Sequence, residues 1–240
     1  MKKTVKKVIS SVLVAAMLLS FVPMSGVEDL TFDFTVKSSA LDRGNNHKLG
    51  ENVYWSLNKD TGLLTISGKG AIDCTGLLDD AGGPFYMCPV KSVVIEDGIT
   101  SIGEGTFCFC TTVRSISIPK SVTKIGEMAF YSCTELTTIN IPDSVTSIGE
   151  SAFGDCVKLT DVALPDSVTS IGDSAFEDCS SLKNIVLPSN LLSIDGQAFY
   201  GCESLTDIEI PNSVTSLGDS AFKECKSLKK VILSSNLLSI

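Results

Sequence analysis

The chain is short of the groups most enzymes rely on. One of its 240 residues is histidine, His47, in the loop-like stretch GNNHKLG. No G-x-S-x-G motif accompanies it, and the strand-like segments carry no paired carboxylates. Nucleophilic and acid–base catalysis therefore find no support. Metal-ligand spacing is equally scarce. Cys108 and Cys110 stand close together, but no second pair answers them, and a zinc site wants four convergent ligands. Dense loops of oxygen ligands, which calcium requires, are missing too. The expectation is no catalytic residue, no metal and no cofactor. Positive charge is also sparse: 19 Lys and Arg against 28 Asp and Glu, a net charge of -9. That balance excludes nucleic acid as a partner, because a phosphate backbone needs a basic patch.

Long apolar runs are confined to one place. Val8 to Val22 is apolar over about 15 residues, short of the roughly 20 that a spanning helix needs. Lys2, Lys3, Lys6 and Lys7 precede it, and Pro23, Ser25 and Gly26 follow. This is a secretory signal pattern, assigned to residues 1–26, with cleavage placed near Gly26. An uncleaved membrane anchor is the alternative. No cysteine lies near the cleavage region, which argues against a lipid anchor. The mature chain then has no integral membrane span and is secreted or held at the cell surface. The 43% hydrophobic and 20% charged residues of the full 240-residue chain suffice for a buried core.

What the sequence has in abundance is self-similarity. IPDSVTSIGESAFGDC, from Ile141, returns as LPDSVTSIGDSAFEDC, from Leu164, 23 residues later. Phe107, Phe130, Phe153, Phe176, Phe199 and Phe222 keep that step, as do Cys110, Cys133, Cys156, Cys179, Cys202 and Cys225. Six units run from Ile95 to Ile232, and a partial seventh opens at Leu233. Such periods mark repeat architectures in which each unit buries its apolar face against the next. Within a unit, LTTINI alternates and reads as a short strand that Pro142 ends. SVTSI reads as a second short extended piece, and Gly149 breaks the chain. ESAFGDC reads as one or two helical turns, with Glu150 at their start, where a negative charge is favoured. In the copy with Asp195 in the glycine position, the turn is expected to shift, because Asp tolerates left-handed backbone. The predicted fold is an α/β solenoid with one parallel β-sheet along one face and short helical turns on the other.

The pattern L-x-x-I-x-[IL]-P-x-x-V-x-x-I-G-x-x-A-F-x-x-C resembles the leucine-rich repeats of the BspA-like family of bacterial surface proteins. Leu136, Ile139, Ile141, Pro142, Val145, Ile148, Gly149, Ala152, Phe153 and Cys156 carry the match. NVYWSLNKDTGLLTISGKGAI, Asn52 to Ile72, resembles the β-hairpin module that precedes the repeats in this family, where it would cap the solenoid. Gly50 occupies the neighbourhood in which that module usually has a cysteine. The division expected is 1–26 signal peptide, 27–49 irregular segment, 50–94 β cap module and 95–240 repeats. The resemblance implies a secreted or cell-surface protein that binds extracellular host proteins or bacterial surface proteins.

Nine cysteines leave two readings open. The column can fill the core as small buried thiols, or neighbours can pair; Cys74 and Cys88, outside the column, are the better disulfide candidates. Glu127, Glu150, Asp173, Asp219, Asp155 and Asp178 read as solvated turn residues. The outward strand positions vary between units while the inward ones do not. They are Ser115, Ser117, Thr138, Asn140, Asp161, Asn184, Asp207, Glu209 and Lys230, with Ala163, Val186 and Ile232 interspersed. A regular scaffold with variable exposed residues suits a binding surface. The alternatives are a spacer presenting another module, and an enzyme or carbohydrate-binding protein using Trp55, Phe85 and Tyr86. Ile240 falls within a coil and has no polar cap after it, which predicts a longer chain or a partner over that end.

Overall fold

The structure is a computed structural model and describes residues 48–74, 77, 82–86 and 88–238. The signal pattern at 1–26, most of the segment 27–49, His47 and Ile240 lie outside the described residues.

The chain opens with β1 (Val53–Asn58) and β2 (Leu63–Gly68), an antiparallel hairpin in which Trp55 faces Ile66. Asn58 closes it by accepting from the N–H groups of Asp60 and Thr61 at 3.1 Å. β3 (Gly70–Ala71) follows, and then β4 (Ser92–Ile95) and β5 (Ile99–Ile102). Each later coil contributes two short strands. These are β6 (Ser115–Ser117) and β7 (Lys124–Ile125), β8 (Thr138–Asn140) and β9 (Ser147–Ile148), β10 (Asp161–Ala163) and β11 (Ser170–Ile171). The series ends with β12 (Asn184–Val186) and β13 (Ser193–Ile194), β14 (Asp207–Glu209) and β15 (Ser216–Leu217), and β16 (Lys230–Ile232).

Two parallel ribbons result, where the sequence suggested one sheet. β3, β5, β7, β9, β11, β13 and β15 form a continuous seven-stranded ribbon. The even-numbered strands, with β1 added antiparallel at one edge, form the other side, in sheets β1-β2-β4-β6, β8-β10-β12 and β14-β16, which lie against one another at β6/β8 and β12/β14. The SVTSI piece is thus a full partner: Ser147 pairs with Ser170 and Ile148 with Ile171. A turn closed by Val145 N–H to the Pro142 carbonyl at 3.0 Å carries the chain from one ribbon to the other.

No helix occurs among the described residues, and the helical turns expected over ESAFGDC are replaced by stacked turns. The reason lies in where the amide hydrogens go. An α-helix sends each N–H to a carbonyl four residues back in its own chain segment. Here Ser151 and Asp155 adopt left-handed φ values of 51° and 58°. Every second N–H then leaves the coil: Ser151, Phe153 and Asp155 donate to the carbonyls of Asp173, Ala175 and Glu177 at 2.7–2.8 Å. The N–H groups between them, on Ala152, Gly154 and Cys156, close local turns onto Gly149, Ser151 and Phe153 at 3.1–3.3 Å. A seven-residue helix is marginal alone, and the neighbouring coil offers better acceptors. Without a helix, Glu150 has no dipole to complement.

Gly149 serves close approach. A Cβ there would lie 2.6 Å from the carbonyl carbon of Gly126 in the preceding coil. The expected shift at Asp195 does not occur. Its N–H meets the Ile171 carbonyl at 3.0 Å, as that of Gly149 meets Ile125, and the left-handed residue is Gln197, in the same column as Ser151.

The core is a set of columns. Phenylalanine rings stack from Phe107 to Phe222 with centroids 5.2–5.5 Å apart and nearly parallel planes. The stack begins earlier than the 23-residue step shows: Phe85 lies 5.8 Å from Phe107, and Trp55 meets Phe85 edge-on at 5.4 Å. Phe85 and Cys88 form an F-x-x-C pair one residue short of the repeat step, so this irregular region supplies most of a coil. Leu136, Leu159, Leu182, Leu205 and the isoleucines Ile125, Ile148, Ile171 and Ile194 fill the rest. Nested apolar columns of this kind exclude water continuously along the axis.

Candidate functional site

All nine proposed sheet-face residues are exposed on the even-numbered ribbon. Ser115 and Ser117 stand on β6, Thr138 and Asn140 on β8, Asp161 on β10, Asn184 on β12, Asp207 and Glu209 on β14, and Lys230 on β16. On β6, β8, β10, β12 and β14 the residue between each outward pair, such as Ile139, Val162 or Ile208, is buried in the core, whereas Val231 on β16 is exposed. The two-residue period of a strand sets this division. Parallel register then aligns the outward residues into two rows: Thr138 with Asp161 and Asn184, and Asn140 with Ala163 and Val186.

The rows carry side-chain contacts of their own. The Asn184 amide donates to Asp161 Oδ1 at 2.8 Å and holds that carboxyl below the ordinary aspartate value. At one margin Glu135 accepts from Lys158 and pairs with Arg114 at 3.7 Å, and the Lys158 hydrogen bond lowers its pKa. Lys226 pairs with Glu203 at 2.6 Å further along. These exposed pairs add little to stability, but they fix where charge is presented. Sequence reading did not single out Glu135 and Lys158, although their 23-residue separation is visible. Val186 is 65% exposed and Ile232 41%, which adds apolar points to an otherwise polar face. From Asp161 onward the charged positions of the face are the carboxylates of Asp161, Asp207 and Glu209, with Lys230 at its edge.

The other residues weighed from the sequence fall elsewhere. Trp55 and Phe85 are buried core residues, and only Tyr86 of that group reaches the surface. All nine cysteines are buried and none forms a disulfide. In the column, each thiol donates to a phenylalanine carbonyl one coil back: Cys133 to Phe107 at 3.3 Å, Cys179 to Phe153 at 3.1 Å, Cys225 to Phe199 at 3.1 Å. Burial raises every one of these thiol pKa values, that of Cys225 to about 11. Cys74 is pushed up to about 11 and Cys108 to about 12, again by burial. Thiols so disposed are poor nucleophiles at neutral pH.

Of the turn acids, Glu150, Asp173, Asp178 and Asp219 are exposed as the sequence implied, whereas Glu127 and Asp155 are less solvated. Asp155 is half-buried and accepts from the Ser132 hydroxyl at 2.7 Å. Burial raises the carboxyl pKa of Glu127, Asp155, Glu177 and Asp178, and mutual repulsion adds to this at Glu127, Glu177 and Asp178.

Two parallel ribbons, a wall of stacked turns and single-residue core columns at one fixed step define a leucine-rich-repeat solenoid. Within that class the model of the BspA type leucine rich repeat region matches residues 83–193 and 146–240, in six copies. The chain belongs to the BspA-type leucine-rich repeat family. Its fold is similar to that of a leucine-rich repeat protein from Bacteroides ovatus, at 25% identity and a TM-score of 0.63, over 79% of this chain and 54% of that one. It is also similar to the Treponema pallidum leucine rich repeat protein, at 29% identity and a TM-score of 0.58, over 77% of this chain and 91% of that one. The chain thus spans about half the length of the Bacteroides protein. No curated protein sequence matches it. Among the described residues, no helix is long and apolar enough to cross a membrane.

Proposed function

We propose that the protein is a non-catalytic binding scaffold, secreted or displayed at the cell surface, that holds extracellular protein partners on the even-numbered ribbon. The single observation behind this reading is the contrast between its two sets of strand residues. Inward positions repeat almost unchanged from coil to coil, while outward ones change at every coil on a backbone whose register is constant. A rigid surface of this kind offers many weak contacts at little ordering cost. Membership of the BspA-type family supports the reading at the level of fold, and the amino-terminal signal pattern supports the compartment. The burial of Trp55 and Phe85 leaves the carbohydrate-binding alternative with Tyr86 alone.

The test is binding of the full chain to a panel of immobilised extracellular matrix and bacterial surface proteins, repeated with Asp161→Asn, Asp207→Asn and Glu209→Gln combined. Salt-sensitive binding that the triple variant loses is the expected result. Binding to none of the panel, or binding indifferent to the three changes, would instead favour a spacer.

A further inference from the structure

The turn wall carries a column of its own, away from the sheet face. Tyr131, Gly154, Glu177, Tyr200 and Lys223 follow one another at the 23-residue step. At one end of this column the molecule shows what a tyrosine here does: Lys223 places its ammonium 5.8 Å from the centroid of the Tyr200 ring, from the next coil along. Tyr131 is the equivalent residue three coils earlier. Its next-coil neighbour is Gly154, which has no side chain to offer. The Tyr131 ring leans over that glycine, and a Cβ there would lie 2.9 Å from its Cδ2 atom.

The surroundings of Tyr131 also favour a cation. The ring is half-buried, and Phe109 packs against it edge-on at 5.5 Å. Phe109 in turn meets Tyr86 edge-on at 6.0 Å, so three aromatic residues form a ledge on this wall. Phe109 holds a left-handed φ of 59°, uncommon for a bulky residue, in a column where other coils place Ser132, Asp155, Asp178, Gly201 and Glu224. On the far side of Gly154 stand Asp155, Glu177 and Asp178. These carboxylates push the Tyr131 phenol upward, in addition to the effect of its burial. They also repel one another, Asp155 acting on both Glu177 and Asp178. No lysine or arginine forms an ion pair with any of the three among the described residues.

We propose that this ledge is a docking site for a lysine or arginine side chain of a protein partner. The cation stacks on the Tyr131 ring, which itself covers Gly154, and neutralises Asp155, Glu177 and Asp178. It takes in trans the place that Lys223 takes in cis at Tyr200. Charge complementarity and the internal Lys–Tyr pair select the occupant: an aromatic face beside carboxylates that lack an ion-pair partner attracts ammonium and guanidinium groups. The site is independent of the sheet face, and its partner is a basic segment.

The experiment titrates the full chain with a blocked oligo-arginine peptide at low salt and reads affinity by calorimetry. Tyr131→Leu should weaken binding about ten-fold, the scale of a partly desolvated cation–π contact. Gly154→Lys should weaken it similarly, because its Cβ would displace the Tyr131 ring and its ammonium would compete for the carboxylates. Should that variant fail to fold, Asp155→Asn with Asp178→Asn replaces it, with loss again expected. Asp207→Asn with Glu209→Gln, which removes two charges from the other face, should leave affinity within about two-fold. Absence of binding, equal loss in the sheet-face control, or indifference to Tyr131→Leu would each overturn the proposal. The last two would mean only general attraction to an acidic protein. Because the sheet-face control carries part of the change used against the panel of surface proteins, failure of one site is separable from failure of the other.

Discussion

The thiol of Cys156 donates to the carbonyl of Phe130 across 3.2 Å, reaching back into the preceding coil. The same carbonyl accepts the Cys133 N–H within its own coil at 3.2 Å. Both lone pairs are therefore in use, and the cysteine column is a hydrogen-bonded seam as well as a packed one. Burial drives the Cys156 thiol pKa far upward.

These thiols should be silent in the native protein. Iodoacetamide at neutral pH is expected to label none of the column until the chain unfolds, with Cys225, at 9% exposure, the first to react. Mass spectrometry of tryptic peptides over a urea series reads the order. Cys156→Ala removes a buried sulfur and its hydrogen bond, and should cost about 1–3 kcal/mol by urea denaturation. Rapid native labelling of Cys156 would contradict the buried seam.

The left-handed residues offer a second test. Gln197 is exposed, with φ 55°, and its N–H donates to the Asp219 carbonyl at 2.9 Å. Left-handed backbone costs an L-residue roughly 1–2 kcal/mol that glycine avoids, less the extra entropy glycine loses on folding. Gln197→Gly should therefore stabilise by about 0.5–1 kcal/mol, whereas Gln197→Val, branched at Cβ, should destabilise by about 1 kcal/mol or more. Opposite shifts in thermal midpoint are the expected readout. A helical turn at this site would give the reverse order, because glycine is the poorer helix former.

Stability should rise on mild acidification. Burial lifts the carboxyl pKa of Glu127 and Glu177 above the ordinary 4.5, and of Asp155 and Asp178 above 3.8. The folded chain then binds these protons more readily than the unfolded chain, so stability falls as pH rises through the interval from the unfolded to the folded values. The thermal midpoint should climb as pH is lowered through that interval toward the ordinary carboxyl values. Asp155→Asn with Glu177→Gln and Asp178→Asn should flatten most of that slope. The exposed carboxyls of Asp161 and Glu135 are displaced downward, and lose their favourable interactions only below their ordinary values. They do not oppose the trend in this window. A flat or inverted profile would show that the turn acids are solvated after all.

The solenoid and the sheet face were legible in the sequence because both depend on a constant step. Phe153 and Cys156 recur at fixed distances, and the alternation Thr138–Ile139–Asn140 gives inside and outside directly. The turn wall was not legible for a physical reason. Whether Phe153 continues a helix depends on the carbonyl of Ala175, 22 residues away, which no local window contains. Two-residue strands such as Ser147–Ile148 are too short to show a period, so the second ribbon emerged only through its pairing. Phe85 was missed as a stack member because its spacing is one residue short. The ledge at Tyr131 was missed because its meaning lies in a glycine, Gly154, and in a lysine at Lys223, three coils beyond it.

The amide pattern of the turn wall also bears on how such a protein can change over generations. Each coil passes three N–H groups forward to the next and receives three from the one before. A gain or loss of a few residues would leave that exchange mismatched on both sides. A gain or loss of one whole 23-residue unit reconnects every donor with an equivalent acceptor. Unequal recombination between near-identical units, such as those at Ile141 and Leu164, therefore meets little structural resistance. Copy number and the order of surface residues can drift while the core is inherited intact.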